Sequence, residues 1–480
     1  MEKKIIHKPI IIKNMEQLSV KINLPVSQKT IFKDVKTQSV EVDFLGIVNL
    51  NGVKQTKVTN EQYVIITVDL FLKKLNDEGH NLIAKNEEIF IYNSAFWEKV
   101  DYDTIKKVLY VISKKFKVPK FKAKHYSFRN ELFKQLKTTI VTPNFSDEKP
   151  TRINVLNGTI EFEGQKINML NFSRNHFLTY QLTFVFDPNA EAELFKKYLD
   201  EVLPDKSLQL VLAEFIGSIF INNRSGIKLE KALILTGGGS NGKSVFFEII
   251  NALLGPENIS NFSLASLTDS SGYSRAQIEN KLLNFSSEID RKMNIAIFKQ
   301  LTSNEPVEAR HPYGRAHQIK NYAKLAFNTN SLPNDVESTK AFFRRFIIIP
   351  FNIVIKEENQ DRELHTKIIN NELSGVFNWV MNGLVRLINQ KGFTHSISIV
   401  EQVKNYETES DTVRVFMEEF EYEKSTDCNY KVRDLYNTYK IFCKDDGYKP
   451  LNNKNFCKSL KNMGFYFIRK NYGQAVNVAP

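Results

Sequence analysis

The stretch Gly237-Gly238-Gly239-Ser240-Asn241-Gly242-Lys243-Ser244 decides the fold, because it fits the pattern G-x-x-x-x-G-K-[ST] of phosphate-binding loops. The apolar run Leu233-Ile234-Leu235 precedes it, and a segment with apolar residues at helical spacing follows from Val245. This order of strand, loop and helix is the context in which the pattern binds nucleotides. The alternative is a glycine-rich turn that matches by chance, and the two flanks disfavour it.

Each position of the loop has an expected role. Glycines let backbone N–H groups close around phosphate oxygens, and the N-terminus of the following helix adds partial positive charge. Lys243 is predicted to reach the β- and γ-phosphates of ATP, and Ser244 to bind Mg²⁺. The predicted ATP-binding residues are Gly237, Gly238, Gly239, Ser240, Asn241, Gly242, Lys243, Ser244 and Val245.

An acid that holds magnesium is predicted at the end of a second strand-like run. Residues 281–287 lead into Glu288, and Asp290 would share its side if the strand continued. Such acids hold Mg²⁺ and polarise water in nucleotide hydrolases. We therefore predict Ser244, Glu288 and Asp290 as metal ligands and Glu288 as a catalytic residue. A surface glutamate is the alternative.

A polar sensor of the γ-phosphate is predicted at the end of a third strand-like run, residues 322–330. An amide at this end can hydrogen-bond the attacking water or the γ-phosphate. Asn330 is the first choice and Asn328 the second. The alternative is a turn-forming asparagine before Ser331-Leu332-Pro333.

An arginine pair precedes a further strand, Ile347-Ile348-Ile349-Pro350-Phe351. Arg345, or its neighbour Arg344, is predicted to reach the γ-phosphate bound by a neighbouring subunit, a contact that contributes several powers of ten in rate. This role requires a homo-oligomer. The alternative is a basic pair on the edge of a strand.

A β-hairpin with a basic, aromatic tip is predicted between the acid and the sensor. Its strands are residues 307–310 and 317–320, and its tip is Pro312-Tyr313-Gly314-Arg315. Repeated around a ring, such hairpins would line a pore and grip DNA phosphates, whereas a purely structural hairpin is the alternative. The predicted DNA contacts are Arg310, His311, Arg315, His317 and Lys320.

Composition limits the class of protein. The chain has 480 residues and a net charge of +12, which favours polyanionic partners such as nucleic acid. It contains no apolar run long enough for a membrane span, and it opens without a signal-peptide core, so a cytoplasmic location and no membrane partner are expected. Its cysteines, Cys428, Cys443 and Cys457, form no C-x-x-C pair.

The part before the loop divides into two predicted domains. Residues 1–95 alternate apolar and polar residues, as in residues 40–44 and 63–68, and read as a small β-rich domain of unknown role. Residues 96–224 read as helical, with a role in oligomerisation or DNA contact. Between Lys106 and Lys137 they carry eleven Lys and Arg against one acid, interleaved with aromatic residues. A solvated helical face is the alternative to a DNA-contacting surface.

The C-terminal part, 411–480, reads as a winged helix-turn-helix that follows a charged linker from Glu401 to Asp411. Residues 430–440 are a first helix, residues 452–463 a recognition helix, and residues 465–470 and 475–478 the strands of the wing. From residue 428 onward there are ten Lys and Arg against three Asp and Glu. A small protein-interaction module is the alternative. The recognition helix would present Lys454, Lys458 and Lys461 to DNA.

The order of these motifs resembles the superfamily 3 helicases of the phage P4 and poxvirus D5 primase-helicase family, over roughly residues 90–395. The motifs behind the resemblance are the phosphate-binding loop, Lys299-Gln300-Leu301-Thr302 with Ala309-Arg310, Thr329-Asn330, Arg344-Arg345 and Ile349-Pro350-Phe351. Upstream, Asn157-Gly158, Phe186-Asp187-Pro188-Asn189-Ala190 and Glu214-Phe215-Ile216-Gly217 resemble the helical region before the ATPase. With its C-terminal domain, the whole arrangement is similar to replication initiators of staphylococcal pathogenicity islands and related phages.

The resemblance implies an α/β AAA+-like ATPase core over residues 225–395, with an N-terminal α+β region and a C-terminal winged helix. It also implies a hexameric ring that uses ATP and Mg²⁺ to unwind DNA with 3′ to 5′ polarity, binds single- and double-stranded DNA at a replication origin, and loads itself. Ser287 stands where many members have a second acid. No carboxylate trio of a primase is evident, so primase activity is not expected. The competing functions are a packaging motor, another AAA+ machine, and a nucleotide-binding DNA regulator without unwinding activity.

Overall fold

The computed structural model describes residues 11–13, 25–50, 54–85, 88–141, 150–163, 166–221, 227–287, 289, 293–330, 332, 340–427, 430–448 and 450–479. The chain divides into two compact units, Met1–Asn189 and Ala190–Pro480. The predicted domain 96–224 therefore does not form one unit, because its last part packs with the second.

The first unit combines helices with two sheets. Its described helices are α1 (Gln28–Gln38), α2 (Phe44–Leu50), α3 (Asn60–Asp77), α4 (Tyr102–Lys115), α5 (Lys120–Lys124) and α6 (Tyr126–Thr139). Its described strands are β1 (Ile11–Lys13), β2 (Leu82–Lys85), β3 (Glu88–Tyr92), β4 (Trp97–Val100), β5 (Thr151–Val155), β6 (Gly158–Glu163) and β7 (Lys166–Leu170). One sheet has the order β1-β7-β6-β5 and the other β2-β3-β4, and a 3₁₀ turn spans Arg174–His176.

The prediction of a β-rich domain over residues 1–95 is wrong for most of the described residues. Residues 63–68, predicted as a strand, lie inside α3, which Thr59 begins with a reciprocal capping box. The buried residues of α3 include Val64, Val68, Phe71 and Leu75, a spacing of three and four that buries one face of a helix. Burial at this longer period outweighs the local preference of β-branched residues for strands.

The second unit contains the phosphate-binding loop and the C-terminal part. Its described helices are α7 (Glu193–Val202), α8 (Lys206–Ser218), α9 (Lys243–Leu254), α10 (Leu264–Thr268), α11 (Tyr273–Gln277), α12 (Ile295–Thr302), α13 (Lys340–Phe343), α14 (Leu364–Gln390), α15 (Ile397–Glu409), α16 (Thr412–Glu419), α17 (Val432–Asp445) and α18 (Asn453–Asn462). Its described strands are β8 (Ala232–Thr236), β9 (Ile259–Ser260), β10 (Leu283–Ser286), β11 (Val307–Arg310), β12 (Ala316–Ile319), β13 (Lys324–Thr329), β14 (Phe346–Pro350), β15 (Glu423–Lys424), β16 (Tyr430–Lys431), β17 (Phe467–Lys470), β18 (Gly473–Val476) and β19 (Val478–Ala479). Short 3₁₀ turns span Pro256–Asn258 and Glu357–Asn359.

The core of the second unit is a parallel sheet with the strand order β14-β8-β13-β10-β9. β8 lies between β13 and β14, with Leu235 in register with Asn328 and Ile349. The carboxyl ends of parallel strands meet at one edge, which is where ligands bind in open α/β sheets. The mixed α/β core with a parallel sheet, predicted from the sequence, is confirmed, and the loop after β8 lies at this edge.

Helix α14 fixes the helices that surround the loop, because it packs against α7, α8 and α9. Close approach to α8 depends on Gly383, where an added Cβ would lie 2.4 Å from the carbonyl carbon of Ala213. The pair is also joined by an ion pair between Arg386 and the fully buried Glu214, at 2.5 Å. Buried charges of this kind persist only when paired, so α8 and α14 hold one fixed arrangement.

The C-terminal part has a hydrophobic core of its own, formed by buried residues from Val413 to Val478. It consists of α16, α17, α18 and the antiparallel hairpin of β17 and β18, with β16 on the other side of β18. The predicted helices and hairpin are therefore confirmed as elements. The charged linker from Glu401 to Asp411 is wrong, because α15 runs to Glu409 and buries Tyr406 against the rings of Phe343 and Phe346.

Candidate active site

The loop between β8 and α9 has the backbone of a compact anion-binding turn. Gly237, Ser240 and Gly242 all have positive φ values, of 145°, 56° and 87°. A Cβ at Gly237 would lie 2.3 Å from the carbonyl oxygen of Phe351, so only glycine fits there. Gly242 caps α9, whose N-terminal N–H groups point toward the loop. The glycine positions thus allow a tight turn directly at the N-terminus of α9.

Lys243 is held inside the loop. Its ammonium donates hydrogen bonds to the carbonyl oxygens of Gly237 at 2.6 Å and Gly238 at 3.0 Å, and to Oδ1 of Asn241 at 3.1 Å. Burial lowers the pKa of Lys243. Asn241 in turn donates to the carbonyl of Phe351 at 2.9 Å, which ties the loop to the end of β14. The arrangement positions a cation where the phosphates of a nucleotide would lie.

A cavity of about 800 Å³ opens beside the loop. Its lining includes every residue of the predicted ATP-binding set except Gly237, together with the predicted sensors Asn328 and Asn330. Asn330 is exposed, whereas Asn328 is nine-tenths buried and its Oδ1 has no hydrogen-bond partner among the described residues. A buried acceptor without a partner is costly, so Asn328, which lines the cavity, has hydrogen-bonding capacity that the described residues leave unused.

The predicted acids Glu288 and Asp290 lie outside the described residues. Ser287, which precedes Glu288, and Ile289 both line the cavity. Among the described residues there is no cluster of three or more His, Cys, Asp or Glu side chains that could hold a metal ion. Of the predicted metal ligands, the structure therefore places only Ser244, which is exposed at the cavity.

Two walls of the cavity were missed by the sequence analysis. One wall is α7, which contributes Leu194, Lys197, Tyr198 and Glu201. The other is the polar segment between β14 and α14, which contributes Ile355, Asn359, Gln360, Asp361, Arg362 and Leu364. Of these residues, Tyr198 is buried and Leu194 is exposed. A tyrosine on the buried face of a predicted helix was the available signal, because a buried tyrosine hydroxyl needs a hydrogen-bond partner.

The two predicted finger arginines lie apart from the cavity lining. Arg345 is buried and donates to the carbonyl of Ala341 and to Oγ of Ser303, at 3.2 Å for the latter. Arg344 is largely exposed and pairs with Glu230 at 3.0 Å. The guanidinium of Arg345 is thus used within its own chain, and Arg344 is the more accessible of the two. The role of either arginine as a finger stays a prediction.

The predicted hairpin is confirmed as β11 and β12, paired antiparallel with Arg310 opposite Ala316. Tyr313 at its tip is fully exposed with a positive φ of 61°. Arg310, Arg315 and Lys320 are exposed, and the rings of His311 and His317 stack with centroids 5.5 Å apart. Buried Arg275 anchors the base by donating to the carbonyl of Glu308 at 2.7 Å. The five DNA contacts predicted for this segment therefore lie on the hairpin or directly after it.

The predicted recognition helix is α18. Phe456 and Leu460 are fully buried, and Lys454, Lys458 and Lys461 are exposed, as the sequence predicted. Asn452 caps the helix by accepting from the N–H of Asn455 at 2.9 Å. No described helix of the chain is both long and apolar enough to cross a membrane.

Three family models match separate parts of the chain. Residues 68–204 match "D5 N terminal like", residues 235–345 match a family of unknown function (DUF5906), and residues 408–479 match "Poxvirus D5 protein-like". The middle match contains the whole phosphate-binding loop, the hairpin and both arginines. The last match coincides with the separate C-terminal core.

Two curated viral proteins are similar to the chain. The putative helicase 121R of Invertebrate iridescent virus 3 is 23% identical over 371 residues, which cover 66% of this chain and 38% of that protein. The putative helicase L207/L206 of Acanthamoeba polyphaga mimivirus is 25% identical over 248 residues, which cover 47% and 24%. The chain thus spans well under half the length of these relatives.

Among solved structures, the A-form apo structure of the NrS-1 C-terminal region has a TM-score of 0.44 at 17% identity, over 70% of this chain and 74% of that one. The apo structure of the NrS-1 C-terminal region (305–718) has a TM-score of 0.42 at 15% identity, over 85% and 97%.

The D5-type matches bear on the earlier expectations. They give no support to the expectation that primase activity is lacking. The similarity to initiators of staphylococcal pathogenicity islands stays a prediction. Two independent D5-type segments flank the segment that carries the phosphate-binding loop, and both curated relatives carry helicase names. Over two separate segments, therefore, the chain is similar to D5-type proteins, and over longer stretches it is similar to viral proteins named as putative helicases.

Proposed function

We propose that the protein is an ATP-driven replicative DNA helicase. The observation that carries the proposal is the position of Lys243 and Asn328, a cation and an unused amide acceptor that line the same cavity at the carboxyl edge of the sheet. Phosphoryl transfer needs little covalent chemistry from a protein and depends on positioning and on stabilisation of charge. A lysine on the phosphates and an amide near the attacking water supply both.

ATP is the proposed substrate and Mg²⁺ the proposed metal. The donor set fits them, because the loop offers backbone N–H groups and a buried lysine to phosphates, and Ser244 offers a hydroxyl at the cavity. Ser244 would hold Mg²⁺ together with Glu288 and Asp290. The metal would neutralise charge on the phosphates. Asn328 and Asn330 would orient water and sense the γ-phosphate, and Arg344 would serve a neighbouring subunit.

DNA is the proposed track of the motor. The hairpin of β11 and β12 would contact the backbone of the translocated strand through Arg310, His311, Arg315, His317 and Lys320. The C-terminal part would act as a winged helix that binds duplex DNA at an origin through Lys454, Lys458 and Lys461 on α18. A ring of six subunits, 3′ to 5′ unwinding and self-loading complete the proposal.

The test is a strand-displacement assay on forked DNA with ATP and Mg²⁺, combined with a mass measurement of the assembly. Wild-type protein should separate the strands of a fork when unwinding requires 3′ to 5′ movement along the bound strand. Lys243→Ala should lower ATP turnover by about 100-fold or more, because the phosphates lose their fixed cation.

Lys197→Ala is a matched control, because Lys197 lines the same cavity outside the phosphate-binding loop. It should retain most of the ATP turnover. ATP turnover without any strand displacement would point to a packaging motor or a protein-remodelling machine. Unchanged turnover in Lys243→Ala would place the active site elsewhere and overturn the proposal.

A further inference from the structure

The basic stretch of the first unit contains two kinds of aromatic side chain. Phe116 and Phe128 are buried in its core. Tyr110 and Phe133 are half-buried and covered by the chain's own cations, with the guanidinium of Arg129 3.9 Å from the ring centroid of Tyr110. Because cations of the same chain already cover the faces of these two rings, Tyr110 and Phe133 stabilise the fold.

Phe121 and Tyr126 differ from the other rings, because they are 85% and 72% exposed. Phe121 lies on α5 and Tyr126 begins α6. His125 connects them, because its N–H donates to the carbonyl of Phe121 at 3.2 Å and its ring lies 4.9 Å from that of Tyr126. Residues 121–126 therefore carry three exposed aromatic side chains, Phe121, His125 and Tyr126, and we call this segment the aromatic ridge.

Positive charge surrounds the aromatic ridge. Lys117, Lys120 and Lys124 are exposed, and none of them makes an ion pair with another described residue. Lys122 lies over the ring of Tyr63 and near Glu61. Glu131, the one acid between residues 106 and 137, is engaged by the side chains of Asn60 and Ser127. The ridge thus combines uncovered aromatic faces with cations that the fold itself does not neutralise.

We infer that the aromatic ridge binds single-stranded DNA, with bases stacked on Phe121 and Tyr126 and phosphates paired with Lys117, Lys120 and Lys124. Aromatic rings inside a positively charged surface are the chemistry by which proteins hold unpaired strands without sequence preference. A duplex keeps its bases stacked within the helix, so it has no free faces to offer these rings. A protein partner would gain from the apolar rings but would need a matching acidic surface.

This site belongs to the first unit and does not depend on nucleotide. It would hold a separated strand at a place distinct from the hairpin and α18 in the sequence. The inference therefore goes beyond the proposed motor, and its test does not depend on whether that proposal is correct.

The test uses the full chain without nucleotide and a fluorescent 20-nucleotide oligo-dT, with affinity measured by anisotropy. The double variant Phe121→Ala/Tyr126→Ala should bind at least about tenfold more weakly, since loss of one stacked base by alanine substitution costs roughly five- to hundredfold. Phe121→Trp/Tyr126→Trp should retain the affinity, because indole rings also stack. Lys120→Ala/Lys124→Ala should lower the slope of log affinity against log salt by about 0.7 per lysine.

An oligonucleotide of the same length with abasic sites separates stacking from charge. It should bind wild type and the double alanine variant equally, because neither can stack a base. Val40→Ala, at another exposed apolar residue of the same unit, is the matched control and should bind oligo-dT as wild type does.

Three results would overturn the inference: an unchanged affinity of the double alanine variant for oligo-dT, an equal loss with the abasic strand, or tighter binding of oligo-U than of oligo-dT. Loss of self-association in place of DNA affinity would likewise overturn it and assign the ridge to contacts between copies. Unaltered ATP turnover in every variant is expected. ATP turnover therefore distinguishes failure of this inference from failure of the motor proposal.

Discussion

The hydroxyl of Tyr198 donates a hydrogen bond to the carbonyl oxygen of Gly242, 2.8 Å away, and so connects α7 to the last glycine of the phosphate-binding loop. The ring of Tyr198 also packs closely against Gly242, since a Cβ added at Gly242 would lie 3.0 Å from a ring carbon. Burial raises the pKa of Tyr198, which keeps the phenol protonated as a donor. A helix that precedes the parallel sheet in the sequence thereby sets the position of the residue that caps α9.

Tyr198→Phe should weaken nucleotide binding a few-fold and lower the free energy of unfolding by about 1 kcal/mol, because one buried hydrogen bond is lost. Calorimetric titration with ATP and chemical denaturation measure the two effects. Tyr322→Phe is the matched control. Tyr322 is also buried, and its hydroxyl contacts the backbone carbonyls of Gln300 and Glu305, away from the cavity lining. Equal loss of ATP affinity in both variants would contradict a specific role for Tyr198.

Gly237→Ala should lower the free energy of unfolding by about 3 kcal/mol, since the new Cβ meets the Phe351 carbonyl and the backbone has a positive φ. Gly238→Ala should stay within about 0.5 kcal/mol, because no atom lies within 4 Å of its Cβ position. Denaturant unfolding without nucleotide compares them. Similar stabilities of the two variants would show that the loop adopts another backbone.

Arg345→Ala should lower the free energy of unfolding by about 1–3 kcal/mol, because its buried hydrogen bonds to Ala341 and Ser303 are lost. Arg344→Ala should leave stability nearly unchanged but lower ATP turnover by about a thousandfold, the contribution of an arginine finger. Thermal melting and turnover assays distinguish the two variants.

Mixing subunits tests whether Arg344 acts across an interface. Arg344→Ala and Lys243→Ala subunits should recover part of the lost turnover when mixed, because some interfaces then contain both residues. Absence of any recovery would count against action on a neighbouring subunit.

Removal of residues 411–480 should abolish origin-specific DNA binding and preserve ATP turnover, because the C-terminal part has a separate core and Tyr406 of α15 stays in place. Footprinting and a turnover assay measure the two. Lys454→Ala/Lys458→Ala/Lys461→Ala in the full chain should reproduce the loss of binding without truncation. Retained specificity in either protein would place origin recognition elsewhere.

The sequence predicted correctly those elements in which buried residues recur at one regular spacing over a short segment. The strand before the loop, the hairpin at Val307–Ile319 and the face of α18 all emerged from such patterns. Residues 63–68 misled, because their β-branched side chains belong to a helical period that extends to Leu75. The charges of α15 resembled a linker, because the one fully buried ring, Tyr406, meets partners distant in sequence.

The candidate site was predictable where a motif carries it and hidden where tertiary packing does. The loop, Asn328 at the end of β13 and Asn330 just after it could be identified from the sequence. The walls from α7 and from residues 355–364 could not, since neither carries a pattern tied to nucleotides. The burial of Arg345 was equally invisible, because Ser303 lies 42 positions away.

The bonds of Lys243 within its own loop have a consequence for turnover. Its ammonium already satisfies its donors on the carbonyls of Gly237 and Gly238 and on Asn241. An arriving phosphate must exchange these bonds for its own, so only the difference between the two sets contributes to affinity. In the proposed motor, the loop carbonyls would take the lysine back as the product leaves. The resting loop would thereby compete with spent nucleotide for Lys243, which would favour rapid release of the product.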